Sequence, residues 1–98
     1  MLDLSVYVDR TSEIKFAGKV LNVHEVTVSQ YERMIKIENM EGLEAHEKQV
    51  NFIAEVLSHN LEKRRIERKE IENLPKAAVN ALWNFFILQS LNTISEKN

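Results

Sequence analysis

The chain has 98 residues, a formal charge of −2 and no cysteine. Its length allows one domain, residues 1–98, with a core that hides roughly 65% of the unfolded surface. The missing thiols exclude disulfides, thiolate catalysis and Cys-based metal sites, and the charge gives no long-range attraction to nucleic acid.

Taken in order, Leu2, Leu4, Val6 and Val8 alternate with Asp3, Ser5, Tyr7 and Asp9. That is the period-two pattern of a half-buried strand. A turn follows at 9–12, where Asp and Ser side chains can bond the backbone. Residues 13–16 then read as a second strand and 20–23 as a third, with Gly18 supplying the left-handed turn. Residues 1–24 are therefore expected to form a three-stranded antiparallel meander with open edges, part of an α+β fold that is mainly helical over residues 28–94.

Thr27 followed by Gln30 fits a capping box, and a first helix is expected over about 28–41, with Gly42 as its stop. A second helix should run over about 43–60, with Ala45, Val50, Phe52, Ile53, Val56 and Leu57 as its apolar stripe. Residues 62–72 hold five basic and four acidic side chains, against six basic and ten acidic over residues 1–60. The segment reads as a mixed, solvated surface leading into a short helix at 67–73. Pro75, the only proline, suits the first position of a last helix. Three to four helices result, and fraying is expected over residues 95–98.

The last helix is the most apolar stretch. Val79, Leu82, Phe85 and Phe86 share one face, while Trp83, Ile87, Leu88, Leu91 and Ile94 carry apolar surface around most of the cylinder. A chain this short is expected to leave part of that surface for another chain. Trp83, Phe86, Ile87 and Leu91 are the candidate contacts, with Phe52 and Val56 of the second helix beside them; large aromatic side chains dominate interface energetics.

No catalytic, cofactor-binding or metal-ligating set is expected. His24, His46 and His59 lack the spacing of a metal site, and two isolated glycines cannot build a phosphate loop. The polar residues within the apolar run argue against a membrane span, and the first residues lack a signal peptide's basic start. A soluble, cytoplasmic, non-enzymatic protein is the expectation. Arg64, Arg65, Arg68 and Lys69 offer an alternative in which they grip DNA phosphates beside a helix-turn-helix imitation at 67–87. A structural virion or neck component is a further alternative.

The run EIKFAGKVLNV, then EVTVSQYERMIKIENMEG opening on Thr27-Val28-Ser29-Gln30-Tyr31, then RKEIENLP before the last helix, resembles the tail assembly chaperones of long-tailed bacteriophages. The resemblance spans nearly the whole chain and is one of architecture and phrasing. It implies the short form of a small homo-oligomeric protein in the bacterial cytoplasm, host- or prophage-encoded. Such a protein binds the tape measure protein, keeps it soluble, helps recruit tail tube protein and is absent from the finished particle. It implies no catalytic residues, no cofactor and no membrane.

Overall fold

One antiparallel hairpin leans on a layer of helices, and the third helix runs through the middle of the assembly. The computed structural model describes residues 1–95, with side chains through residue 91. The elements are α1 (Ser5–Val8), β1 (Thr11–Phe16), β2 (Lys19–His24), α2 (Val28–Glu38), α3 (Gly42–Ser58), α4 (Arg68–Glu72) and α5 (Lys76–Ser95). The fold is mainly helical, and no helix among the described residues is long and apolar enough to cross a membrane.

The expected three-stranded meander is not formed: among the described residues the sheet has two strands, and five helices accompany it. The segment read as the first strand is a single helical turn. Asp3 Oδ1 accepts from both the Ser5 N–H (3.0 Å) and the Ser5 hydroxyl (2.7 Å), and Leu4 O accepts from Tyr7 N and Val8 N. This local bonding competes directly with a ladder. Nothing rewards the alternation either, because Leu2, Leu4, Val6 and Val8 all remain exposed. The open sheet edge expected at residues 2–8 therefore does not exist.

The hairpin starts at Thr11, earlier than expected, and pairs Thr11 with His24 through Phe16 with Lys19. Its two-residue turn puts both Ala17 (φ 53°) and Gly18 (φ 79°) in the left-handed region, the geometry that matches the twist of the strands. The far edge of β2 meets residues 59–61. His24 N donates to His59 O (2.9 Å), Leu61 N donates to Asn22 O (3.0 Å), and Val23 bridges Asn60. The buried Asn60 amide closes this loop, donating to Leu57 O and Arg64 O and accepting from Arg64 N.

The capping box of α2 forms as its spacing indicates: Gln30 N donates to Thr27 Oγ1 (3.1 Å) and Thr27 N to Gln30 Oε1 (3.0 Å). The helix stops at Glu38, a turn early, where Asn39 Nδ2 donates to Ile35 O. Gly42 does not stop α2 but opens α3, at φ 75°. α3 ends at Ser58, whose hydroxyl donates to Ala54 O and accepts from Ile66 N. Pro75 lies just before α5, and its carbonyl accepts from Ala78 N and Val79 N.

The core joins Phe16, Leu21 and Val23 of the hairpin to Met34 and Ile37 of α2, six side chains of α3, Ile66, Ile71, and Val79, Trp83 and Phe86 of α5. Full burial of each large apolar side chain is worth about 1.5–3 kcal/mol. The Trp83 ring meets the edge of Phe52 at 5.6 Å between centroids, and its indole N–H donates to the Glu38 carboxylate. Among its described side chains, the helix that is apolar nearly all round buries the 79/83/86 stripe, with Leu82 and Ile87 half-buried beside it. The expectations for the Ile94 side chain and for fraying at 95–98 lie outside the described side chains.

Candidate protein-binding surface

Four of the six side chains expected at a contact surface belong to the interior: Phe52, Val56, Trp83 and Phe86 are buried in the core. Ile87 is half-buried against that core, and Leu91 is 52% exposed. The division follows from helix geometry. Once α5 turns 79, 83 and 86 inward, 87 and 91 fall along its flank and 88 on its far side.

α2 behaves in the same way. Met34 and Ile37 face the core, while Val28, Tyr31 and Ile35, spaced three and four residues apart, point outward and are exposed. The flanks of α2 and α5 then meet. One hollow of about 180 Å³ is lined by Tyr31, Met34, Ile35, Glu38, Asn39, Ile87 and Leu91. A second, of about 240 Å³, is lined by Glu25, Val26, Thr27, Val28, Tyr31, Gln89, Ser90 and Leu91. Tyr31 and Leu91 line both, so the two hollows form one apolar seam. Leu88 (55% exposed) stands one residue along α5 from Ile87.

Polar bonds frame the seam. The capping box of Thr27 and Gln30 fixes the start of α2. Arg10 pairs with Glu25 at 3.2 Å, and Gln89 Nε2 donates to the Ser12 hydroxyl, tying α5 to β1. Glu38 is engaged by Trp83. A rigid apolar strip with a bonded polar border can receive an apolar side of another protein. Its stripe on α2 is not singled out by the sequence, because Val28, Tyr31, Met34 and Ile35 all sit at helical spacing and spacing alone does not say which of them turns inward. The signal that separates them is the second spacing, 30, 34 and 37, on the same helix.

The basic cluster does not converge on a free surface. The Arg64 guanidinium stacks over Phe16 at 5.5 Å and donates to Glu70 (2.8 Å). Arg65 pairs with Glu67 at 3.1 Å. Arg68 is held by Glu72, Asn51 Oδ1 and Glu47 O. Lys69 stands exposed on α4, a helix of five residues.

Shifted titrations lie away from the seam. Arg33, and then Gln30, hold Glu55 below the usual carboxylate range by hydrogen bonding. Loss of water from part of its ring, and then the neighbouring His24, hold His59 below the ordinary imidazole value. The two imidazoles lie 4.3 Å apart. Among the described residues no three acids, histidines or cysteines gather in a metal-binding arrangement. Comparison with models of known families, with curated proteins and with solved structures finds no match to this chain.

Proposed function

We propose that this protein is an assembly chaperone that acts by binding, holding an apolar helical stretch of a client in the seam between α2 and α5. In keeping with the resemblance to tail assembly chaperones of long-tailed bacteriophages, the client is the tape measure protein and the setting is tail assembly in the bacterial cytoplasm. The observation that supports it is a strip of apolar side chains, Tyr31, Ile35 and Leu91, that the described chain leaves at 39–52% exposure. Isolated exposed leucines are ordinary, but a contiguous strip of this kind marks an interaction site. A long client needs many weak holds, and self-association of the chaperone supplies them through avidity.

The test is co-expression with helical segments of a tape measure protein, followed by co-purification. Ile35→Glu combined with Leu91→Glu should abolish capture, since each charge would enter an apolar contact. Both positions are exposed, so far-ultraviolet circular dichroism should remain that of the wild type. Undiminished capture by the folded double variant would refute the seam as the client site.

A further inference from the structure

We propose that the outer cleft between α2 and α3 is a second docking site, distinct from the α2/α5 seam, and that it takes an acidic amphipathic helix of a partner protein. The cleft holds about 350 Å³, and its floor is apolar, made by Ile37, Met40 and Phe52. Two helices running back along each other leave a groove into which a third helix packs ridge into groove.

Charge decides the occupant. Arg33 of α2 and Glu55 of α3 bridge the two helices and neutralise each other: Arg33 Nη1 donates to Glu55 Oε1 (3.0 Å), and Gln30 Nε2 donates to Glu55 Oε2 (3.0 Å). The Arg33 guanidinium also lies over the Phe52 ring at 5.5 Å. Lys36 and Lys48 line the same cleft from its two sides. Neither ammonium group makes a hydrogen bond or ion pair with a described residue. The lining therefore carries two uncompensated positive charges in a chain whose net charge is −2. Asn51 adds direction. Its Oδ1 is taken by Arg68 (2.7 Å), which leaves its amide N–H groups, in the same lining, as donors for a carbonyl or carboxylate.

An amphipathic helix meets these demands together. Its Glu or Asp side chains reach Lys36 and Lys48, while an apolar side chain one turn away covers Met40. Nucleic acid fits poorly, because Phe52 is only 2% exposed and offers no face on which a base can stack. A bare anion would leave Met40, the part-exposed apolar side chain of the lining, uncovered.

The probe is a fluorescein-labelled peptide of roughly 18 residues, patterned as an amphipathic helix of Leu, Phe and Ala with Glu flanking the apolar stripe. Fluorescence anisotropy on the full chain should show saturable binding that weakens with added salt. Lys36→Glu with Lys48→Glu should weaken it about tenfold or more, and Lys36→Arg with Lys48→Arg should restore it. Leu91→Glu, in the other surface, should leave it unchanged. The proposal is overturned by absence of binding, by equal binding of a peptide with Lys in place of every Glu, or by an unaffected charge-reversed variant. Loss of binding with Leu91→Glu would place the peptide in the seam and would overturn it as well. Both lysines are exposed, so the charge-reversed chain should keep its fold, and circular dichroism checks this.

Discussion

His59 closes α3 and lies against His24, the last residue of β2. Partial burial, and then the neighbouring His24, disfavour a charge on His59. Because the folded-state pKa of His59 is lowered from 6.5, the unfolded chain binds more protons in the window below that value. Its contribution to stability is thus complete above pH 6.5 and is lost as the pH falls through the folded-state value. The urea midpoint should drop between pH 7.5 and 5.5, and His59→Gln should drop clearly less. Parallel titration of variant and wild type over that range would count against the histidine contact. Glu55, lowered by Arg33, adds a loss in the same direction at more acidic pH, below its ordinary 4.5. Such residue-level detail was only partly legible in the sequence. Thr27 and Gln30 announced their box because both partners lie within one turn. The approach of His24 to His59 depends on how a strand and a helix dock, which no local pattern encodes.

The β1–β2 hairpin carries a non-glycine residue in a demanding position. Ala17, at φ 53°, precedes Gly18 in the turn, and the left-handed region costs an L-residue about 1–2 kcal/mol. Ala17→Gly relieves that cost and returns about 0.4–1 kcal/mol through the freedom of the unfolded chain. A net gain of about 0.5 kcal/mol is expected, a rise of roughly 2–4 °C in Tm for a domain of this size. Calorimetry showing no rise would mean that the turn carries no such strain. The same scale explains the failed strand. Alternation in Leu2, Leu4, Val6 and Val8 predicts a ladder only where one face is covered, and Asp3 bonding to Ser5 supplies a competing local structure. For α5 the sequence showed too much apolar surface to choose a face. The choice of 79, 83 and 86 is made by Phe52 and Glu38 on other helices.

At the scale of the whole molecule, exposed apolar side chains among the described residues gather most densely in the first nine residues, with a further set along the α2/α5 seam. Within those first nine, Leu2, Leu4, Val6 and Val8 are each 60–74% exposed. Self-association through these residues would leave the seam free for a client. Light scattering should then give the wild type a multiple of 11.4 kDa and the Leu4→Glu/Val6→Glu variant the monomer mass. A monomeric wild type would remove self-association from the proposed mechanism. The candidate surface itself was half legible. Ile87 and Leu91 were named by the excess of apolar residues on one helix, whereas Val28, Tyr31 and Ile35 were hidden within an ordinary amphipathic stripe.

The late arrival of α5 has a consequence for the birth of the protein. Phe52 emerges from the ribosome well before Trp83, and at about 5–20 residues per second the 20 residues of that helix take about one to four seconds to synthesise. Throughout that interval the greasy ring has no lid, and the nascent polypeptide is itself in need of a guardian.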